Sequence, residues 1–401
     1  MLNRRSKNLT PSHTMAIDAR AKQLKAQGLD IINLSVGEPD FDTPDSAKEG
    51  GIRAIQEGFT KYTIAPGITE LREAIARKLH RENGLEYSAD EIVVSNGCKH
   101  SLFNVFMVVL DPGDEVIIQA PYWVSYPEMV KLSGGTPVVV QTDASTGFEL
   151  TPEMIERAIT PRTKAITLNN PSNPTGVVYS VETLRAIAQL AVKHDLLVIS
   201  DEIYERLVYD GAEAVSIATL APGIKQRTIT VNGLSKAFAM TGWRLGYAAA
   251  DRSIAKAMSE LQSHSTSGPS SITQKAGLAA LQGEQQCVET MRLEFDRRRH
   301  YSIERMRSMP GFNLEVEPRG AFYVFPNVSE LFGRTVGKHR IASDDDLCSA
   351  ILESAQVAVV PGGSFGSPDH IRISYATSME KLRAGLDRIE SLLHNEAKVL
   401  A

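Results

Sequence analysis

The residues best suited to chemistry lie in one stretch, TITVNGLSKAFAMTGWRLGY, over 228–247. It opens with the β-branched alternation Thr228, Ile229, Thr230, Val231 and breaks at Asn232-Gly233, which puts Lys236 just past the end of a strand. A lysine there is either a solvated turn residue or an amine held inside a site to condense with a carbonyl as a Schiff base. Arg244 follows a short way on, and its planar fork suits two oxygens of a phosphate. With Ser235 beside the lysine, the set fits a ligand that carries both a carbonyl and a phosphate.

Other candidates stand at the ends of apolar runs. LLVISDEIYERLVY, 196–209, ends a continuous apolar strand in Asp201 and Tyr204, and TKAITLNNPSNPTG, 163–176, ends one in a proline-held turn at Asn173. An acidic residue after a buried strand can be a helix cap, but in open α/β sheets ligands bind outside the carboxyl ends of strands. Asn173, Asp201 and Lys236 share that position. The turn Gly97-Cys98-Lys99 opens an apolar helix, and amides at a helix N-terminus bind phosphate. Trp123 and Tyr126 come just after another strand, where an indole can stack on a flat ring or fill the core. Gly37, in IINLSVGEPDFDTP, lets backbone lie close to a ligand, whereas loop Tyr62 and strand Arg372 have bland readings as rim packing and a salt-bridged arginine.

The elements around these residues follow the grammar of parallel βαβ units. EIVVSNGCKHSLFNVFMVVLDPGDEVII, 91–118, reads as strand, glycine turn, helix, Asp-Pro-Gly turn and strand. Before it, Thr69 is placed to cap a helix with Leu71, Ile75 and Leu79 on one face and Gly84 at its end. A further helix near 182–193 buries Leu184, Ile187, Ala188 and Ala191. After about residue 294 the alternation stops, and RGAFYVFPNV, VAVVPGGSF and HIRISYA read as short strands between helices near 344–354 and 379–393. The expected architecture is α/β, with a mostly parallel central sheet in a large unit over 48–294. A smaller α+β unit is expected from 1–47 and 295–401.

Composition narrows the function. With 401 residues and 42% hydrophobic content the chain can bury a large core. Its net charge of −5, spread along the sequence, offers neither a basic face for nucleic acid nor a polybasic membrane anchor. The start, MLNRRSKNLT, has no apolar segment after its charges, so it is expected to be an arm in a cytoplasmic protein. Cys98, Cys287 and Cys348 are widely spaced, as reduced thiols are, and no His-Glu-x-x-His or Cys-x-x-Cys pattern suggests a metal.

Ser235, Lys236 and Arg244, in their spacing, resemble the Ser-Lys…Arg segment of class I pyridoxal-phosphate aminotransferases. The resemblance, to the aspartate-aminotransferase-like members, runs from SVGEPDF at 35–41 to HIRISYATS at 370–378, with the motifs in family order. It implies the pyridoxal-phosphate type I fold and a homodimer with shared sites, with pyridoxal 5′-phosphate bound to Lys236 as a Schiff base. Asp201 would face the pyridine nitrogen and keep it protonated. Tyr204 and Asn173 would bond the ring oxygen, and Trp123 would lie on the ring face. Gly97, Cys98, Lys99, Ser235, Arg244 and, from the other subunit, Tyr62 would hold the phosphate. Displaced by the substrate amine, Lys236 would carry the proton from Cα. Arg372 would take the α-carboxylate, with the Gly37 amide nearby, and Trp123 and Asn173 also border the substrate.

One segment departs from the best-known aspartate subgroup. Those enzymes take the side-chain carboxylate with an arginine of the partner subunit, but SHSTSGPSSITQ, 263–274, has none. The divergent subgroup with a lysine in the helix-opening turn points to Lys99, and its prephenate-using relatives have a threonine that Thr14 in SHTMAI matches. The expected activity is amino transfer between L-aspartate and 2-oxoglutarate, with prephenate a further acceptor. The competing readings are an aminotransferase for aromatic or other amino acids, a β-eliminating lyase of the same fold, and a regulator that retains the cofactor pocket.

Overall fold

In the computed structural model of the chain the described residues are Leu9 and 13–397. The basic start expected to form an arm lies outside them, apart from Leu9. The first strand, β1 (Ile32–Asn33), belongs to the end of the molecule built from both chain termini. The central sheet is built from β2 (Ile92–Ser95), β3 (Glu115–Ala120), β4 (Thr136–Gln141), β5 (Thr163–Asn169), β6 (Leu197–Asp201), β7 (Thr228–Gly233) and β8 (Gly246–Ala249). Its seven strands run in the order β2-β8-β7-β6-β5-β3-β4. Only β8 is antiparallel to its neighbours, so the carboxyl ends of the others share one edge.

The period-two alternation of the strands sorts their side chains between two helical layers. Val116, Ile118, Ala165, Ile199, Ile229 and Val231 pack with Leu102, Phe106 and Met258 of the helices Cys98–Val109 and Arg252–Ser265. Ile117, Ile166 and Val198, one residue out of phase, meet Leu184, Ile187 and Ala191 of the helix Val181–Lys193. In the helix Thr69–Asn83, Leu71, Ile75 and Leu79 are buried, each contributing about 1.5–3 kcal/mol by leaving water. Thr69 is its first residue and not its cap. Ile68 holds the cap position, and the Gln274 side chain accepts its amide at 2.7 Å. Gly84 ends the helix in the left-handed region at φ 66°, as expected.

A second core joins the two ends of the chain. β9 (Tyr323–Val324) is followed by a hairpin of β10 (Thr335–Val336) and β11 (His339–Arg340), then β12 (Val357–Ala358), β13 (Val360–Pro361) and β14 (Ile371–Ser374). β1 pairs parallel with β12, and β13-β14-β9 form an antiparallel sheet. Leu34, Phe295, Leu347, Ile373 and Leu386 pack among these strands and the final helix. The long helix Gln286–Ser308 places Val288 in the core with Leu71 and Phe295 in this second one, so one rigid rod spans the two. Similarly, the helix Asp45–Gln56 puts Ala47 in the first of those cores.

Candidate active site

The carboxyl edge of the sheet faces a cavity of ≈ 550 Å³ lined by Thr14, Gly37, Cys98, Lys99, Trp123, Asn173, Asp201, Tyr204, Ser235, Lys236, Arg244 and Arg372. Lys236 follows the end of β7, and its Nζ donates to the Gly37 carbonyl across the cavity. Burial pulls its pKa down to about 8, with Arg372 and Arg244 adding and Glu38 opposing. Near neutral pH a real fraction of this amine is therefore an unprotonated nucleophile and base.

Asp201 ends β6. Its Oδ2 accepts the Tyr126 hydroxyl at 2.7 Å and its Oδ1 the Ile203 amide at 3.3 Å. Burial pushes this carboxyl up to about 6, against the pull of Tyr126, the Ile203 amide and Lys236. A carboxyl so placed gains by facing a cation, and a protonated ring nitrogen is such a cation. Tyr204, one turn along, is buried and sits 2.8 Å, hydroxyl to hydroxyl, from Tyr323. The lysine ammonium lies 5.8 Å from the Tyr204 ring centroid.

At one end of the cavity Arg244 adopts φ 56°, a left-handed conformation a non-glycine residue rarely takes, in a loop where Ala239 does the same. Its Nη1 donates to the Thr241 carbonyl at 2.9 Å. The guanidinium covers Gly97, where any Cβ would meet it, and Gly97 is the N-cap of the helix Cys98–Val109. The amides at Cys98 and Lys99 and the Arg244 fork thus converge as an anion cradle. Burial holds the Cys98 thiol well above its usual range. Ser235 is buried beside the lysine.

At the other end Arg372 of β14, only 3% exposed, donates through Nη1 to Asn173 Oδ1 at 2.9 Å and through Nη2 to the Ser35 carbonyl at 2.6 Å. Its Nε has no hydrogen-bond partner among the described residues. A buried guanidinium with an unused donor fits a carboxylate. Trp123 lies on the wall, 5.3 Å edge-on to Tyr126, with the Lys99 ammonium 4.9 Å from its ring centroid. Lys99 has its pKa lowered by burial at the cavity mouth and by Arg244. Thr14 lines the cavity from the helix His13–Ala26.

Every expected site residue but two lines this cavity; Gly97 adjoins it under Arg244, and Tyr62 is apart, 97% exposed. The sequence reading missed Tyr323, Ser35, Glu38, Thr241 and the hydrogen bond from Tyr126 to Asp201. Tyr323 reads as one more aromatic residue in the core strand FYVF, so nothing local marks it. Glu38 accepts from Thr241 Oγ1 at 2.6 Å and ties the Gly37 segment to the Arg244 loop. Its place directly after Gly37 was the available signal.

The chain belongs to the aminotransferase class I and II family, whose pattern it matches over residues 29–389. It is 49% identical to an aspartate aminotransferase of Geobacillus stearothermophilus over 400 residues, 99% of this chain and 100% of the relative. It is 48% identical to an aspartate/prephenate aminotransferase of Cereibacter sphaeroides, covering 95% of this chain and 96% of that one. Among solved structures, an aspartate aminotransferase from Thermus thermophilus with maleate superposes at TM-score 0.92 with 47% identity, covering 98% of this chain and 100% of that one. That from Rhizobium meliloti superposes at 0.94 with 45% identity, covering 98% and 99%. The fold is the pyridoxal-phosphate type I fold, and the protein is a pyridoxal 5′-phosphate-dependent aminotransferase acting on amino and 2-oxo acids. Among the described residues no helix is long and apolar enough to cross a membrane.

Proposed function

We propose that the enzyme moves the amino group between L-aspartate and 2-oxoglutarate, as a cytoplasmic homodimer whose two sites each borrow Tyr62 of the partner subunit. The observation that carries this is that Arg372 and Lys99 line one cavity with Lys236, while the other cations there are Arg244, at the anion cradle, and Lys22, paired with Asp18. Two carboxylates on one substrate match two such cations. The names of the relatives support the same substrate. Three unpaired thiols suit a reducing compartment, and the exposed Tyr62 with Ile52, Ile55 and Ile64 suits a surface covered by a second copy.

The cavity residues fit the cofactor. Lys236 would hold it through Nζ, Asp201 would face the ring nitrogen, and the amides from Gly97 to Lys99 with Ser235 and Arg244 would grip its phosphate. Trp123 would cover one ring face. Because Asn173 Oδ1 is already committed to Arg372, its Nδ2 remains to donate to the ring oxygen beside Tyr204. Bound pyridoxal phosphate supplies an electron sink for the pair left on the substrate α-carbon. Arg372, on the cavity wall with Gly37, would take the α-carboxylate and so hold the substrate Cα near Lys236. The amine of Lys236, its pKa lowered to about 8 by burial, would be free to take up and give back the Cα proton. Residues 48–294 act in this reading as the cofactor-binding unit, and 1–47 with 295–401 as the unit that covers the substrate.

Thr14 on the cavity wall supports prephenate as a second acceptor, because a hydroxyl from the covering helix can bond a ring-bearing dicarboxylate. The test is a panel of aspartate, glutamate, phenylalanine and alanine against 2-oxoglutarate, oxaloacetate and prephenate. Aspartate with 2-oxoglutarate should show the highest kcat/KM. Phenylalanine or alanine surpassing aspartate would overturn the substrate assignment, and inertness to prephenate would remove the second acceptor.

A further inference from the structure

Tyr323, on β9, is 1% exposed and borders the cavity. Its hydroxyl lies 2.8 Å from that of Tyr204, and the two rings meet edge-on with centroids 6.0 Å apart. On its face rests Arg372, whose guanidinium carbon is 4.4 Å from the ring centroid. Gly37 passes so close that any Cβ there would collide with the Tyr323 hydroxyl. One phenol therefore touches the tyrosine expected at the cofactor ring, the arginine expected at the substrate carboxylate, and the segment that covers both.

A phenol has one proton to donate and an oxygen that also accepts. If Tyr204 gives its proton to the ring oxygen, a role that rests on the function proposed above, the bond between the two phenols can form only with Tyr323 donating. Successive hydrogen bonds in a low-dielectric interior polarise one another, so the incoming bond makes Tyr204 a stronger donor. The charged groups facing this pair are Arg372 from β14, Lys236 from the loop after β7 and Asp201 from β6. We propose that Tyr323 is a positioning residue for this reaction, acting through Tyr204 to strengthen and aim its hydrogen bond to the cofactor ring oxygen while its own ring supports Arg372.

Tyr323→Phe tests this, since it removes one oxygen and keeps the ring under Arg372. The readout is the pH midpoint of the visible absorbance band of the bound cofactor, measured on resting holoenzyme. A donor to the ring oxygen competes for the electron density that holds the nearby proton, so a weaker donor raises the midpoint. Losing a cooperative fraction of one charge-assisted bond should raise it by about 0.2–0.6 pH units, with KM for aspartate unchanged. Tyr204→Phe should raise it further, and Tyr204→Phe/Tyr323→Phe should match Tyr204→Phe alone, because the effect passes through Tyr204. An unmoved midpoint in Tyr323→Phe alongside a moved one in Tyr204→Phe overturns the inference and leaves the proposed function standing. An equal shift from Tyr323→Phe in the Tyr204→Phe background overturns it too. If Tyr204→Phe itself leaves the midpoint where it was, the role given to Tyr204 fails first and the inference falls with it.

Discussion

Replacing Lys99 by methionine separates the two things a cation at that place can do. The ammonium stands at the cavity mouth over Trp123, 4.9 Å from its centroid, close both to the cradle of Arg244 and to the open side where a substrate side chain would project. Methionine keeps most of the aliphatic stem against the indole and removes the charge. A hydrogen bond to a charged group contributes about 1.5–3 kcal/mol, and solvent at the mouth screens this one toward the lower half. The expected loss in kcat/KM for aspartate is therefore roughly 10- to 40-fold. Loss of the contact with Trp123, about 0.5–1 kcal/mol, falls on every donor alike, so the informative quantity is the ratio of kcat/KM for aspartate over phenylalanine. Steady-state assays with 2-oxoglutarate at fixed pH measure it. Because the pKa of Lys99 is lowered, the wild-type ratio should also decline with rising pH at a midpoint below 10.5, as the ammonium loses its proton, and Lys99→Met should show no such decline. A ratio equal to wild type refutes the reasoning. So does a uniform loss over all donors with cofactor leaking on dialysis, which would assign Lys99 to the phosphate.

Three further outcomes are expected. Lys236→Ala should lose activity by more than the about 10²–10⁴-fold typical of a single general base, since one amine both holds the cofactor and moves the proton; turnover near wild type in purified protein would contradict this. Mixing Lys236→Ala with Tyr62→Ala subunits should regain activity, because each hybrid dimer has one site intact, whereas Lys236→Ala with Arg372→Ala should not; a fully active monomer by light scattering would end the shared-site reading. Asp201 has a folded pKa raised to about 6 from 3.8, so its carboxyl favours the fold when protonated and that stability is lost as pH rises through about 4 to 6. Asp201→Asn should thus stabilise the apoprotein at pH 7.5 relative to wild type by on the order of 2–3 kcal/mol and much less at pH 4, while cofactor binding collapses. Urea unfolding at the two pH values checks it, and an Asn variant less stable than wild type at pH 7.5 counts against the burial argument.

Much of the fold is legible in local order. Strand and helix periods are local, so the alternation of Ile117 with Val116 and Ile118, or the four-residue spacing of Leu71, Ile75 and Leu79, already says which side chains share a face. The chemistry of Lys236, Asp201 and Asn173 is legible for a related reason. In a parallel sheet the strand ends share one edge, so residues that follow apolar runs converge without any knowledge of which strand neighbours which. Strand order, the reversed β8 and the cap of the helix Thr69–Asn83 depend instead on partners far along the chain, and no local signal carries them.

The sequence by itself determined which residues have the chemistry: an amine, a guanidinium, a carboxylate and a helix start, each readable within a few positions, with Arg372 singled out only by the family resemblance. Only the tertiary structure decided what each is beside. Arg372 meets Asn173 and Lys236 meets Gly37 across 199 residues in each case, and Tyr204 meets Tyr323 across 119. Burial follows from those meetings, and burial is what lowers the lysine and raises the aspartic acid. Tyr62 shows the same division, since its place in a loop is read from the sequence while its 97% exposure follows from the loop's place on the folded surface. The reason is physical: residue type and spacing act through covalent neighbours, whereas desolvation and hydrogen-bond pairing arise only when distant segments close on one another.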